Sequence, residues 1–333
     1  MSINIKLVSA FLAASCTCAS LLMVADAKVG KAPKTAPVPA PTPTPTAGVL
    51  TAIPGTPPLQ NQVTAQFQFI VCGDSRPNAS SAPLPQSLGQ ILTAAQTLKP
   101  AFMLFVGDTI FGHNPGNQNA VNGEYLAFSK LMGQAKVPVF NCPGNHEMGD
   151  ANDNPNATMA AYYTKYMGAP YGSFTYGNST FIALNTEEIP PAGTPKAPST
   201  PGTSAGYVSS TQMAWLKSVL DQSINQDNVF IFMHHPIYGS QNGSELRSSC
   251  AGAIVNLVKN YPNVAYIIGG HEHHYFNPQS PSNLTTPPQR NGSGGPQYIV
   301  SGGAGAPLLA GGFYHYLLFT VTGKQVSVQL VRI

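Results

Sequence analysis

Short apolar runs alternate with amphipathic stretches over most of the chain, from about residue 66 onward. The apolar runs that predict buried strands are residues 66–72, 101–106, 137–142, 229–233 and 264–268. The amphipathic stretches that predict helices are residues 86–98, 123–134, 158–166 and 245–259. Because strands and helices alternate in this order, the pattern predicts an α/β domain in which crossover helices connect the strands of a sheet.

Shorter signals add a hairpin, a further helix and an all-β end to this pattern. Residues 173–176 and 180–184 flank a Gly-Asn pair, which is typical of a tight β-hairpin turn. Residues 209–212 (Ser-Ser-Thr-Gln) form a capping-box signature that predicts the start of a helix. The last three strands are predicted at residues 298–301, 314–321 and 326–331.

The first 27 residues have the pattern of a signal peptide. Lys6 precedes a mostly apolar stretch over residues 7–24, and Ala-Asp-Ala at residues 25–27 has the form of a signal-peptidase site. The sequence therefore predicts an exported protein that is periplasmic, secreted or at the cell surface. Interspersed Ser, Thr and Cys residues disfavour a transmembrane anchor, which needs about 20 predominantly apolar residues. A lipoprotein signal with Cys16 as the lipidated residue is a second alternative.

Residues 28–60 are rich in Pro, Thr and Ala. Such a composition favours extended polyproline II structure and cannot supply a packed core. We therefore predict a disordered linker over residues 28–60 and one folded domain over residues 61–333. After removal of the signal peptide three cysteines remain, of which Cys72 and Cys142 lie in apolar runs and are predicted to be buried free thiols.

The charge content narrows the classes of function. The chain has 16 Lys and Arg residues against 13 Asp and Glu residues, for a formal net charge of +3, and no Lys/Arg-rich run is present. A nucleic-acid scaffold held by phosphate contacts is therefore disfavoured. Since 43% of the residues are hydrophobic, the chain can still build a substantial core.

Polar side chains capable of binding metal follow five of the predicted strands. They are Asp74, Asp108, Asn145 with His146, His234 with His235, and His271 with His273 and His274. Because the carboxyl ends of such strands meet at one edge of a sheet, we expect these side chains to share one crevice. Mixed carboxylate, amide and imidazole ligands suit Mn, Fe or Zn, and one bridging carboxylate can hold two ions about 3.5–4 Å apart.

These residues stand in five ordered motifs that resemble those of the calcineurin-like metallophosphoesterases, and most of all the purple acid phosphatase branch. The resemblance covers about residues 66–275. The motifs are Gly73-Asp74, Gly107-Asp108, Gly144-Asn145-His146-Glu147, Met233-His234-His235-Pro236 and Gly270-His271-Glu272-His273. The resemblance implies a four-layer αββα sandwich, in which two mixed β-sheets are flanked by helices, with a dinuclear metal centre.

The resemblance also implies roles for the site residues. Asp74 and His273 would hold a first metal ion, and Asp108 would bridge to a second. The remaining ligands of the second ion would be Asn145, His234 and His271. As catalytic residues it implies His146, as an acid or a substrate contact, and His235, facing the substrate or the outside of the ligand shell.

Two positions depart from the family pattern. The family often has Asp-x-His in the first motif, but Arg76 stands here in place of the histidine. The purple branch has an iron-binding Tyr three residues after the second Asp, where this chain has Phe111. A purple ferric centre is therefore not expected. Arg76 would either clamp a phosphate, as a catalytic residue, or pair with a nearby carboxylate.

The remaining candidates for substrate binding lie beside these motifs, and they are His113, Asn114, His274 and Tyr275. We predict an exported phosphoesterase that hydrolyses phosphate monoesters with a hydroxide activated at two divalent or trivalent metal ions. A phosphodiesterase acting on nucleotides or phospholipid head groups is one alternative, since the same metals serve both reactions. An exported, non-catalytic metal-binding or surface module with a degraded site is the other.

Overall fold

Two mixed β-sheets stack face to face between two layers of helices in a computed structural model of the chain, which describes residues 48–194, 206–241, 243–292 and 294–333. The predicted signal peptide, Cys16 within it and residues 28–47 of the predicted linker lie outside the described residues and stay predictions. Among the described residues, no helix combines the length and apolar character that crossing a bilayer requires.

The larger sheet has seven strands and is mainly parallel. In spatial order they are β1 (Gly48–Val49), β5 (Gly172–Tyr176), β6 (Ser179–Ala183), β7 (Asn228–Phe232), β8 (Val264–Gly269), β11 (Gln297–Ser301) and β9 (Tyr275–Phe276). The pairs β6–β7, β7–β8 and β8–β11 run parallel, which crossover helices make possible. The predicted hairpin is confirmed as the antiparallel pair β5–β6.

The smaller sheet has six strands. In spatial order they are β10 (Arg290–Asn291), β13 (Gln325–Arg332), β12 (His315–Thr322), β2 (Gln66–Cys72), β3 (Met103–Phe105) and β4 (Val139–Asn141). Strands β2, β3 and β4 run parallel, so their carboxyl ends lie at one edge. The C-terminal strands add antiparallel pairs on the other side of β2, as the sequence predicts for this end of the chain.

Six α-helices occur in the described residues. They are α1 (Gln86–Leu98), α2 (Gln118–Met132), α3 (Asn145–Met148), α4 (Ala157–Met167), α5 (Ser210–Gln222) and α6 (Ser248–Val258). Helices α1, α2 and α4 cover the smaller sheet, and their apolar faces share a buried cluster with its strands. Helices α5 and α6 cover the larger sheet in the same way. The predicted four-layer αββα sandwich is therefore confirmed.

The layer between the two sheets is rich in phenylalanine. Phe69 of the smaller sheet meets Phe181 and Phe230 of the larger sheet edge to face, with ring centroids 5.2 and 5.1 Å apart. Such aromatic pairs contribute about 0.5–1.5 kcal/mol each beyond the area that they bury. This rigid layer fixes the relative positions of the strands from both sheets, and with them the loops that follow these strands.

The structure corrects some predicted boundaries. Residues 48–53 already belong to the packed part, because β1 pairs with β5 and the side chains of Leu50 and Ile53 are buried. The predicted linker therefore extends too far, and packing begins before residue 61. Helix α2 starts at Gln118 rather than 123, where the Asn117 side chain accepts a hydrogen bond from the Ala120 backbone N–H.

The structure also tests the predicted capping of helix α5 and the predicted burial of two cysteines. The Ser209 side chain caps α5 as predicted, by accepting from the Gln212 N–H. The Gln212 side chain does not complete a capping box, because it bonds to the backbone of Asn185 instead. Cys72 and Cys142 are buried free thiols as predicted.

Candidate metal centre

The predicted site residues converge at the edge where the carboxyl ends of the central strands meet. Loops after β2, β3, β4, β7 and β8 supply them, and a cavity of about 330 Å³ opens between these loops. The predicted site residues that line it are Arg76, Asp108, His113, Asn145, His146, His271 and His273. Asp74 and His234 lie beneath it with no exposed surface. The structure thus brings the nine residues into one place, and their individual roles stay predictions.

Sharp backbone turns aim the ligand side chains at this cavity. Asp74, Asp108 and His271 have positive φ angles of 58°, 54° and 68°, a left-handed backbone conformation that residues other than glycine rarely adopt. Such conformations are retained where the surrounding structure requires them, and they concentrate at functional sites. Position 144 requires glycine for a steric reason, because a Cβ atom there would lie 2.2 Å from Asp108 Oδ1.

Four ligand atoms form what we call the second-metal group, which consists of Asp108, Asn145, His234 and His271. His234 Nε2 lies 2.8 Å from Asn145 Oδ1 and 3.3 Å from Asp108 Oδ1. His271 Nδ1 lies 3.1 Å from the same Asn145 oxygen and 3.2 Å from His234 Nε2. All four atoms therefore face one small volume.

The chemistry of these atoms fits a cation. His234 Nδ1 donates its hydrogen to the Val106 carbonyl at 2.8 Å, which leaves a lone pair on Nε2 when the ring is neutral. That lone pair faces the carboxylate of Asp108 and the amide oxygen of Asn145, which carry lone pairs as well. Lone pairs that converge without a donor between them need a positive ion, and a histidine whose other nitrogen bonds to a carbonyl is typical of metal sites.

Asp74, Asp108 and His273 form the first-metal group, whose ligand atoms all lie within 4.8 Å of one another. His273 Nε2 lies 3.5 Å from Asp74 Oδ1, and His273 Nδ1 donates to the Pro307 carbonyl at 2.7 Å. Asp74 Oδ1 is buried and has no hydrogen-bond partner among the described residues. A buried carboxylate oxygen without a donor is costly unless a cation satisfies it, so this group also fits a metal ion.

The charges of the two aspartates agree with this reading. Burial raises the pKa of the Asp74 carboxyl well above its ordinary value, and the neighbouring Asp108 raises it further. Burial also opposes ionisation of Asp108, but the His234 and His146 rings, in their protonated forms, together with Arg76 outweigh it and hold the pKa of Asp108 below its ordinary value. Two close buried carboxylates therefore do not both ionise without an added positive charge.

Arg76 supplies one permanent positive charge at this point. Its Nε atom lies 3.6 Å from Asp108 Oδ2, so the ion pair that the sequence left open is present. The side chain is 13% exposed and lines the cavity. The alternative in which Arg76 also clamps a phosphate stays a prediction. At position 111, where the purple acid phosphatase branch has a Tyr, the Phe111 backbone carbonyl accepts a hydrogen bond from His146 Nδ1.

His146 and His113 form a stacked pair on the wall of the cavity. Their ring centroids are 3.9 Å apart and the rings are inclined by 16°. Burial lowers the pKa of His146 to about 3, which leaves the ring neutral near pH 7. Because Nδ1 carries the hydrogen donated to Phe111, the lone pair lies on Nε2, which is 3.8 Å from Asp108 Oδ2. Before substrate binds, His146 is therefore an acceptor rather than an acid.

Besides Asp74 and His234, four predicted site residues do not line the cavity. His235 is fully buried, and its Nδ1 lies 2.5 Å from Glu187 Oε1. Tyr275 is 2% exposed and belongs to the layer between the sheets. His274 bonds to Ser240 Oγ at 2.9 Å, and Asn114 lies in the loop before α2, where its carbonyl accepts from the Asn117 N–H.

Three carboxylates of the site were not singled out from the sequence. Glu147 accepts hydrogen bonds from the backbone N–H groups of Asp108 and Gly144, and so ties two ligand loops together. Glu272 lines the cavity and holds the loop after β7 through Ser240, Gln241 and Ser244. Against the effect of burial, hydrogen bonds with His274, Ser240 and Ser244 lower its pKa to about 2. Asp153 lies at the cavity rim. Position within the Gly-Asn-His-Glu motif is the one signal that points to Glu147.

Carboxylate, amide and imidazole side chains thus converge at the strand ends of an αββα sandwich, an arrangement suited to binding metal ions. The family model for calcineurin-like phosphoesterases matches residues 67–275, which is more than half of the chain and includes all five motifs. The chain belongs to the calcineurin-like phosphoesterases.

One curated relative is a 3',5'-cyclic-nucleotide phosphodiesterase of Nostoc sp.. It is 27% identical over 158 residues, which are 46% of this chain and 52% of the relative. The match thus spans about half the length of that protein.

Solved structures agree with this assignment at the level of the fold. A dimetal phosphatase from Danio rerio matches with a TM-score of 0.58 and 16% identity, over 80% of this chain and 98% of that chain. A purple acid phosphatase from yellow lupin (Lupinus luteus) seeds has the same TM-score and identity, over 85% of this chain and 53% of that chain. The fold likeness includes the purple acid phosphatase without singling out that branch.

Proposed function

We propose that the protein hydrolyses phosphate monoesters at a centre of two metal ions. The observation that carries the proposal is the convergence of the first-metal and second-metal groups on one shared carboxylate, Asp108. Asp74, Asp108 and His273 would hold one ion, and Asp108, Asn145, His234 and His271 the other. When bound, such ions lower the pKa of water and neutralise the charge of a phosphate group.

The residues of the cavity wall would bind and orient the substrate. Arg76 can donate to phosphate oxygens in pairs, since its guanidinium lies at the cavity wall and, within the described part of the chain, forms an ion pair with Asp108 alone. It is also a permanent cation at a position where the family often has a histidine. An added positive charge favours a dianionic monoester over a singly charged diester, and this supports the choice of monoesters.

His146 is placed to handle a proton at the substrate. Its Nε2 atom carries the lone pair, and the ring is held between the Phe111 carbonyl and the stacked ring of His113. We propose that this nitrogen takes up a proton when a negatively charged phosphate enters, because a nearby anion raises the pKa of a buried histidine. The protonated ring would then donate to the leaving oxygen.

A phosphodiesterase is the second candidate function. It is favoured by one observation, the match to a curated cyclic-nucleotide phosphodiesterase over 46% of this chain. The metal-ligand groups serve either reaction, so the difference must lie in how the cavity wall accepts a second ester group.

The proposal is tested with the full chain, stripped of metal and reconstituted separately with Mn, Zn and Fe. We compare kcat/KM for nitrophenyl phosphate with that for bis-nitrophenyl phosphate. Metal-dependent turnover with the higher kcat/KM on the monoester is expected. A higher value on the diester would favour the phosphodiesterase. Absence of turnover in protein that is folded and metal-loaded would favour the non-catalytic binding module.

A further inference from the structure

Asp153 makes a contact that bears directly on the second-metal group. It lies in the loop after α3, where Gly149 and Pro155 form an isolated antiparallel bridge that closes the loop. The Asn145 Nδ2 group donates to Asp153 Oδ1 at 2.9 Å. The same oxygen lies 3.1 Å from His113 Nε2, and the side chain of Asp153 is 19% exposed. One carboxylate oxygen therefore contacts both a predicted metal ligand and a residue of the cavity wall.

The contact with Asn145 selects one orientation of its side-chain amide. An amide has an oxygen at one corner and an NH₂ group at the other, and rotation by a half turn exchanges them. Only the oxygen can face a cation. Because an ionised carboxylate accepts but never donates, Asp153 is compatible only with the orientation that turns the NH₂ group toward it. The Asn145 oxygen then points at His234 Nε2 and His271 Nδ1.

The contact with His113 fixes a second element of the site. His113 Nε2 donates to the Asn145 backbone carbonyl at 2.9 Å as well as toward Asp153. These two acceptors hold the ring against His146, whose ring centroid is 3.9 Å away. The loop after α3 is thereby linked to the wall of the cavity through a single side chain.

We propose that Asp153 is a positioning residue that orients the Asn145 amide toward the metal and holds the His113 ring against His146. The inference rests on the proposed metal centre, since it assigns Asn145 to the ligands. Outer partners of metal ligands typically contribute about 10–100-fold to metal affinity or activity. Asp153 would therefore act through Asn145, without touching the ion.

The test measures metal affinity rather than turnover alone. The full chain and its Asp153→Ala variant are titrated with Mn²⁺ and with Zn²⁺ against a chelating indicator, and the stepwise dissociation constants are compared. We expect Asp153→Ala to weaken the tighter site by about 10–100-fold. In the Asp153→Asn variant, the Asn145 Nδ2 and His113 Nε2 donors both face this position and so favour the amide oxygen there, and most of the affinity should be retained. Rescue by this variant separates amide orientation from charge.

Controls keep the outcomes distinct. Asn152→Ala changes an exposed residue of the same loop and should leave the dissociation constants and the unfolding temperature unchanged. The proposal is overturned if Asp153→Ala binds both ions as the wild type does, or if Asp153→Asn is as weak as Asp153→Ala. A wild-type chain that binds no metal would instead overturn the proposed function. Thermal unfolding of each variant identifies one that has lost its fold.

Discussion

The two metal-ligand groups of the centre are built differently. The second-metal group has four ligand atoms that face one volume, with neighbours at 2.8–3.3 Å, and two of its members are held from outside by Val106 and Asp153. The first-metal group has three ligand atoms, of which His273 Nε2 and Asp74 Oδ1 lie 3.5 Å apart. Arg76, a cation that cannot bind metal, stands beside it where the family often has a further ligand.

From this contrast we expect the two groups of the proposed centre to bind metal unequally. A site with four oriented ligands holds an ion more firmly than one with three, and a fixed positive charge next to the smaller set repels a second cation. We therefore expect two binding steps, with the second-metal group filled first. Arg76 would compensate for the weaker ion by adding charge at the phosphate.

The largest expected effect comes from removing the residue that both groups share. Asp108→Ala takes one ligand from each group and leaves the positive charge of Arg76 unpaired, so kcat/KM should fall by at least about 1,000-fold. Metal analysis of the purified variant should show loss of both ions. Near-normal turnover in a well-folded Asp108→Ala protein would contradict the shared role.

Matched histidine substitutions separate the two groups. His234→Ala should weaken the tighter binding step by about 100-fold or more, because it deletes the ligand that contacts both Asn145 and Asp108. His273→Ala should leave this step intact and remove the weaker one. The measurement is stepwise titration with Mn²⁺. If both variants lost the same step, the division into two groups would be wrong.

The sequence predicted the centre better than its surroundings, for a physical reason. Ligands such as Asp74 and His271 directly follow predicted strands, so local pattern and the geometry of sheets suffice to bring them together. Asp153 follows no strand and meets Asn145 only because a closed loop folds back. Of the two adjacent histidines, the order of residues alone could not show that His235 turns to Glu187.

The same difference between local sequence pattern and contacts of distant residues decides which parts of the fold could be predicted. The alternation of strands and helices follows from periodicity, and the αββα layers follow from the resemblance to the family. Strand β1 follows from neither, because its pairing with β5 is a contact between distant residues. The Pro-rich composition of residues 28–60, which include β1, predicted a linker instead. Apolar Leu50 and Ile53 nevertheless find a place in the core.

Replacing Arg76 with the histidine that the family often has at this position should make the two metal-ligand groups more alike. Arg76→His replaces the cation next to Asp74 with a residue that can bind metal. We expect the weaker dissociation constant to tighten by about tenfold and the KM for nitrophenyl phosphate to rise, since the phosphate loses its guanidinium partner. An unchanged weaker step would show that Arg76 does not limit binding there. Arg76→Gln, which removes the charge without adding a strong ligand, is the control.

The smallest effect concerns the support of Asp74. Its backbone carbonyl accepts from the Ala306 N–H at 2.7 Å, and the segment before Ala306 is held by His315, whose N–H donates to the Gly303 carbonyl at 2.9 Å. His315 is fully buried, with Ser301 and the Phe313 carbonyl as ring partners. Burial lowers its pKa to about 4, the hydrogen bond to the Phe313 carbonyl opposes this shift, and the positive charge of Arg332 acts in the same direction as burial.

The folded state binds a proton on His315 less readily than the unfolded state does. The contribution of neutral, buried His315 to the free energy of unfolding is therefore complete above the ordinary pKa of 6.5 and is lost as the pH falls toward 4. The loss is on the order of 3 kcal/mol. Denaturant unfolding of metal-free protein between pH 7 and 4 should therefore show a shallower decline for His315→Gln than for the wild type. Parallel curves for the two proteins would mean that protonation of His315 does not weaken the segment that supports Asp74.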